Sequence, residues 1–116
     1  MIIRKPGCLL TKQTPALAWA AFRVEEIYIV HGVDTLVITS GDDGDHGQVG
    51  VPDDVDPKTL HGKGLAHDFR SHDIPRDRLD DVLACIKKRL GPDYDVLLEG
   101  RGTSNEHIHC EFQPHR

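Results

Sequence analysis

The amino-acid sequence predicts an α+β fold, in which a small, mostly antiparallel sheet carries helices packed on one side. Two segments have the apolar spacing of helices, and four shorter segments have the composition or alternation of strands. The last two of these strands are joined by a short polar loop, which favours an antiparallel hairpin. A length of 116 residues suits one compact domain, so we assign residues 1–116 to a single unit.

The first half of the chain is predicted to contain one helix and one strand. The helix runs from Thr14 to about Val30, with Thr14 as its N-cap, Pro15 at its first position and Gly32 just past its end. The segment Leu36–Thr39 is rich in branched residues and predicts a strand.

The second half begins after a long loop. Ser40–Thr59 is dense in glycine, aspartate and proline, and a loop this long in so small a domain is usually functional or mobile. A strand is predicted over Leu65–Arg70 and a helix over Pro75–Leu90, with one apolar face formed by Leu79, Val82, Leu83 and Ile86. Two final strands are predicted over Tyr94–Glu99 and His107–Phe112.

Composition excludes several classes of protein. The net charge of −5 argues against a nucleic-acid partner, and no stretch is long and apolar enough for a membrane-spanning helix. The N-terminus has no signal-peptide pattern, which predicts synthesis in the cytoplasm, and we expect a monomer. The cysteines are predicted to be free thiols, with Cys85 and Cys110 in the core.

Strand alternation points to a polar site. In the last predicted strand, one face carries His107, His109 and Glu111, while the other carries Ile108, Cys110 and Phe112. In the earlier strand, Asp68 and Arg70 share a face opposite Leu65, His67 and Phe69. If the two strands lie close together in the sheet, Asp68 can meet His109.

A zinc site follows from these residue types. His61, Asp68 and His109 would supply two nitrogens and one oxygen, which leaves a fourth position for water, as in catalytic zinc sites. Water on such an ion ionises near neutral pH and becomes a nucleophile. Glu99 and His107 are the candidates for the flanking base and donor.

Three segments of the chain resemble the zinc D-Ala-D-Ala carboxypeptidases, related phage endolysins and the Hedgehog signalling domain. The segment Thr59-Leu-His-Gly-Lys-Gly-Leu-Ala-His-Asp-Phe-Arg70 is similar to their Ser-x-His-x-x-Gly-x-Ala-x-Asp signature. The segment Ile38-Thr-Ser-Gly-Asp-Asp-Gly-Asp-His46 looks like their Thr-Ser-Gly…His segment, and Glu99…His-Ile-His109 looks like their Glu…His-x-His strand. The order is the same, and the resemblance spans about residues 34–113.

The resemblance implies a Hedgehog/DD-peptidase-like fold and a zinc-dependent peptidase that cleaves peptidoglycan stem peptides. It implies that Zn2+ is held by His61, Asp68 and His109, with Glu99 as general base and His107 assisting at the transition state. His46 would line the cleft. A phage-encoded protein released to the cell wall would fit this class, and a non-catalytic zinc module of the Hedgehog type is the alternative.

Some assignments remain open at this point. The spacing from Glu99 to His107 is longer than usual in the family, so Glu106 is a second candidate for the base, although alternation turns it away from the zinc. About fourteen residues separate His46 from His61, and the 47–60 insertion has no assigned role. The arginine that grips the substrate carboxylate in carboxypeptidases is replaced by aspartates, so Arg70 or Arg101 would have to substitute.

The remaining polar residues receive simpler interpretations. The other histidines are predicted to lie at the surface: His31, His67, His72 and His115. The acidic loop lacks the spacing of a calcium-binding EF-hand and is interpreted as solvated.

Overall fold

The computed structural model describes residues 1–8, 10, 13–40 and 65–114 of the chain. In chain order these residues form β1 (Ile2–Arg4), α1 (Pro15–Val30), β2 (Leu36–Ser40), β3 (Ala66–Arg70), α2 (Leu79–Leu90), β4 (Tyr94–Glu99) and β5 (His107–Phe112). The predicted α+β class is confirmed. Most of the predicted loop Ser40–Thr59 lies outside the described residues, although Ser40 itself ends β2.

The five strands form one mixed sheet in the order β1-β2-β3-β5-β4. Only β1 pairs in parallel, with β2, while the other three pairings are antiparallel. β1 was not expected from the sequence, because three residues are too few to show an alternation. The parallel pairing continues past the strand, where the Lys5 backbone N–H donates to the carbonyl of Ile38 at 2.8 Å.

Both helices pack on one face of the sheet, as the apolar pattern predicts. The core contains helix residues from both helices together with alternate residues of every strand from β2 to β5: Leu17, Val24, Tyr28, Val82, Ile86, Ile38, Phe69, Ile108, Cys110 and Val96. Because successive strand residues point to opposite faces, the residues between these core positions lie on the other face of the sheet, here called the polar face. The candidate site lies there.

Local capping explains where the helices begin. The hydroxyl of Thr14 accepts a hydrogen bond from the backbone N–H of Leu17 at 3.4 Å, so the predicted N-cap of α1 is confirmed. The second helix begins later than predicted. Pro75 has the extended ψ of 134°, and a 3-10 turn over Arg76–Arg78 precedes the α-helix.

Two residues, His67 and Cys85, lie in surroundings opposite to those predicted. His67 is fully buried rather than at the surface, because alternation in β3 places it on the core face beside Phe69. Its ring nitrogens contact the carbonyl of Ala66 and the amide of Gln13, each at 2.8 Å, so burial leaves neither nitrogen unsatisfied. Cys85 is exposed rather than in the core, because the buried stripe of α2 passes through Val82 and Ile86 instead.

A tight loop returns the chain from β4 to β5. Gly100 has a φ of +65°, and the Thr103 backbone N–H donates to its carbonyl at 2.9 Å. A Cβ on Gly100 would lie 2.9 Å from Thr103 Oγ1 and 3.2 Å from the Asn105 carbonyl oxygen, so only glycine fits without displacement. This loop sets the pairing of Glu99 with His107. Neither α1 nor α2 is long and apolar enough to cross a membrane.

Candidate metal centre

Strand register brings the candidate residues into two rows across the polar face. β3 and β5 are neighbours, with Asp68 opposite His109 and Arg70 opposite His107. On the other side of β5, β4 places Glu99 opposite His107. Residues directly opposite in an antiparallel pair have Cβ atoms about 5 Å apart, so these side chains reach one another.

Three of these side chains form a group that could hold a metal ion. Asp68, Glu99 and His109 each offer one ligand atom, and these atoms all lie within 4.8 Å of one another. His109 Nδ1 is 2.7 Å from Asp68 Oδ1 and 3.8 Å from Glu99 Oε1. Tetrahedral ligands about 2.1 Å from an ion lie roughly 3.4 Å apart, so the Glu99–His109 separation is close to that spacing, whereas the hydrogen-bonded Asp68 and His109 atoms would have to move apart to admit an ion.

Glu111 holds His109 from the opposite side. Glu111 Oε1 is 2.9 Å from His109 Nε2, so the ring donates its Nε2 proton to this carboxylate and presents Nδ1 to the ligand group. Metal-binding histidines commonly donate their second nitrogen to a carboxylate in this way. Strand alternation predicts this face for Glu111, but the sequence alone assigns it no role. Its position two residues after His109 on the same strand face was the available signal.

The two carboxylates also change the protonation of His109. Partial burial by itself lowers the pKa of this histidine, but hydrogen bonds and charge interactions with Asp68 and Glu111 raise it to about 9. A metal ion at Nδ1 must therefore displace a proton near neutral pH.

His107 lies beside the ligand group rather than within it. Its Nδ1 is 2.8 Å from the carbonyl oxygen of Asn105, which makes Nδ1 a donor. Its Nε2 is 3.1 Å from Glu99 Oε1 and 3.8 Å from Asp68 Oδ2. The imidazole therefore points Nε2 toward the space above the carboxylates, where a ligand would lie.

The two candidate bases have very different surroundings. Glu99 is about half exposed, with 51% of its side chain accessible, and its carboxylate faces the ligand group. Glu106 is buried, and its carboxylate accepts hydrogen bonds from the Ser71 hydroxyl at 2.5 Å, from Arg76 at 2.9 and 3.0 Å and from the Gly102 N–H at 2.9 Å. Burial alone would raise the pKa of Glu106, but these hydrogen bonds lower it to about 2. Glu106 is therefore a fully engaged structural carboxylate, and of the two only Glu99 faces the candidate site.

The two candidate arginines for the substrate carboxylate lie on different sides of the molecule. Arg70 is exposed on the polar face, opposite His107 in register. Arg101 is paired instead with Asp80, at the start of α2, on the side of the molecule where the helices pack. His61 and His46 lie outside the described residues, so the predicted third zinc ligand and the predicted cleft histidine have no described position.

The donor chemistry does not specify one metal. Two carboxylates and an imidazole suit zinc but also other divalent first-row ions. An apolar layer lies behind this part of the site: Phe69, next to Asp68, and Ile108, next to His109, are fully buried on the opposite face. The group is thus held on packed strands rather than on a loop.

Comparisons of the chain with protein-family models, with curated proteins and with solved structures found no match.

Proposed function

We propose that this chain is a zinc-dependent peptidase of the Hedgehog/DD-peptidase-like fold that hydrolyses peptidoglycan stem peptides. The observation that supports the proposal is the meeting of Asp68 and His109 across β3 and β5, with Glu99 and His107 beside them. The sequence resemblance assigns roles to these four residues, and it adds His61 as the third protein ligand. Zn2+, when bound, supplies a Lewis acid that acidifies water and polarises a carbonyl.

The residues of the chain divide the remaining work. Glu99 accepts the proton of the attacking water and passes it to the leaving amine, for which an exposed carboxylate with access to the ligand group is suited. His107 donates a hydrogen bond from Nε2 to the oxyanion that develops on the carbonyl. The carbonyl of Asn105 holds Nδ1–H and so keeps Nε2 directed at the site.

The test is release of D-alanine or scission within purified stem-peptide fragments by the zinc-loaded protein, followed by mass spectrometry. Glu99→Gln should keep one zinc per chain and lose activity by roughly 10²- to 10⁴-fold, the usual contribution of a general base. Glu26→Gln removes an exposed charge from α1, on the other side of the sheet, and should retain activity. Intact fragments with zinc bound would refute the peptidase.

A non-catalytic zinc module of the Hedgehog type is the second candidate, and one distance favours it. Glu99 Oε1 lies only 3.8 Å from His109 Nδ1, within the ligand group itself. If Glu99 binds the metal, no described carboxylate remains to act as base. In that case Glu99→Gln would weaken zinc binding, and the parent protein would be inactive.

A further inference from the structure

The outward face of α1 carries exposed apolar side chains. The helix packs on the sheet through residues that are buried: Leu17, Ala20, Ala21, Val24 and Tyr28. On the opposite face, Trp19, Phe22, Ile29 and Val30 are each between 39% and 77% accessible. A helix that contacts the core with one side usually carries polar residues on the other. The described parts of the chain leave these four side chains accessible, so α1 offers a second apolar surface.

These residues lie along one line of the helix, here called the outer stripe. Its members follow one another at intervals of four, three, four and three residues, with Val30 beside the last of them: Pro15, Trp19, Phe22, Glu26 and Ile29. This is the spacing by which two helices pack against each other in coiled coils. The charged member is Glu26, which pairs with Arg23 at the edge of the stripe. A single polar residue in such a stripe commonly fixes the register of the partner helix.

A second copy of the chain complements the outer stripe. Two α1 helices can lie antiparallel about a two-fold axis that crosses the middle of the segment from Arg23 to Glu26. Arg23 of each copy then lies level with Glu26 of the other, because a two-fold axis makes such contacts reciprocal. The same axis sets Trp19 level with Val30 of the second copy, and a rotation of about 100° per residue places both on one side of the contact. The arrangement joins opposite charges and apolar side chains together.

The other two apolar side chains, Phe22 and Ile29, meet on the opposite side of that contact, within about 3 Å of each other along the helix axis. Together the four apolar side chains expose roughly 400 Å² per copy, given that a buried Trp or Phe covers about 150 to 250 Å². Stable complexes bury about 800 Å² per partner, so this contact is a small one. We expect a dissociation constant of roughly 10 to 100 µM.

We propose that the outer stripe is a homodimer interface, in which two α1 helices pack antiparallel and Arg23 of each copy pairs with Glu26 of the other. From the sequence we expect a monomer, but the apolar outer face of α1 can be recognised only once its buried face is known. The adjacent carboxylates of Glu25 and Glu26 disfavour an anionic membrane surface as the covering partner. The metal centre lies on the polar face, across the sheet from α1, so the dimer leaves it open and is independent of peptidase activity.

The test is sedimentation equilibrium of the full chain in physiological salt, over about 1 to 500 µM, a range that brackets the expected dissociation constant. Arg23→Glu and Glu26→Arg each place like charges at both contacts and should weaken the dimer about tenfold or more. The double variant restores opposite charges and should recover the parent affinity within about threefold. An equimolar mixture of the two single variants should form heterodimers more tightly than either variant binds itself. Lys88→Glu makes the same charge change as Arg23→Glu, on the exposed side of α2, and should dimerise like the parent.

Several outcomes would overturn this arrangement. A parent chain that stays monomeric at the highest concentration would exclude the homodimer. Single variants that dimerise as tightly as the parent, or whose mixture shows no heterodimer, would exclude the antiparallel pairing. Phe22→Glu should abolish the dimer, and a dimer that survives this substitution lies elsewhere on the surface. Both single charge variants also lose the ion pair within one helix, so thermal denaturation checks that each is folded, whereas Phe22 is 56% accessible and tolerates a polar side chain.

Discussion

Replacing Glu111 with alanine removes the carboxylate that accepts the Nε2 proton of His109 at 2.9 Å. Only 17% of the Glu111 side chain is exposed, so water replaces this hydrogen bond incompletely. A hydrogen bond to a charged group contributes about 1.5 to 3 kcal/mol, and loss of such a supporting carboxylate typically weakens metal binding by about 10- to 100-fold. We expect a loss of zinc affinity in that range at a pH high enough that protons no longer compete with zinc for His109.

Proton competition acts in the opposite direction. Asp68 and Glu111 together raise the pKa of His109 to about 9, so near pH 7 the ring is protonated at both nitrogens and a zinc ion at Nδ1 must displace a proton. Glu111→Ala lowers this pKa and makes the proton easier to displace. The defect in zinc affinity should therefore be only a few-fold near pH 7 and should grow as the pH rises toward 9.

The assay is a zinc titration in competition with a chromogenic chelator, performed near pH 7 and again near pH 8.5. Glu26→Ala is the matched control, because it removes an exposed carboxylate from α1, far from the polar face. The reasoning is refuted if Glu111→Ala binds zinc as tightly as the Glu26→Ala control at the higher pH. A defect that shrinks as the pH rises would also contradict it.

Three further predictions concern stability and are measured by urea or thermal denaturation. Glu106→Gln should cost roughly 3 kcal/mol near pH 7, because it removes the charge of a buried carboxylate that accepts hydrogen bonds from Ser71, Gly102 and the half-exposed Arg76. The pKa of Glu106 is about 2 in the folded state, against an ordinary value of 4.5, so this stabilisation is complete above pH 4.5 and is lost as the pH falls toward 2. A stability difference between parent and variant that does not change with pH would contradict the assignment. Gly100→Ala should cost about 2 kcal/mol or more, because Gly100 has a positive φ and its added Cβ would meet neighbouring atoms. Gly102→Ala should cost only about 1 kcal/mol, because Gly102 also has a positive φ but nothing lies within 4 Å of its added Cβ. Equal costs would show that the close contacts relax freely. Tyr28→Phe should cost roughly 1 to 2 kcal/mol, because the buried hydroxyl donates to the Arg70 carbonyl at 2.7 Å, and a neutral effect would show that water takes its place.

The sequence carried enough information for the helices and for four of the five strands, because their patterns are long or strongly alternating. The cap at Thr14 follows from such a local rule, whereas alternation predicts only the faces of Asp68 and His109, and their meeting requires β3 to pair with β5. β1 could not be found this way, since three residues stabilised only by pairing with β2 have no pattern of their own.

His67 shows a different limit. Alternation placed it on the apolar face, yet the average preference of histidine for the surface favoured exposure. Its burial depends on the carbonyl of Ala66 and on Gln13, which is 54 residues away in sequence and comes close only in the folded chain. Hydrogen-bond partners for a buried polar group cannot be predicted until the tertiary contacts are known.

The separation of the proposed zinc ligands along the chain has a consequence for folding kinetics. Asp68 and His109 lie 41 positions apart and meet only through the β3–β5 pairing, which closes a long loop. Zinc that binds these residues can engage its full ligand set only after this pairing has formed, so it stabilises the native state more than the folding transition state. The ion should therefore prolong the lifetime of the folded chain while leaving the rate at which it forms nearly unchanged.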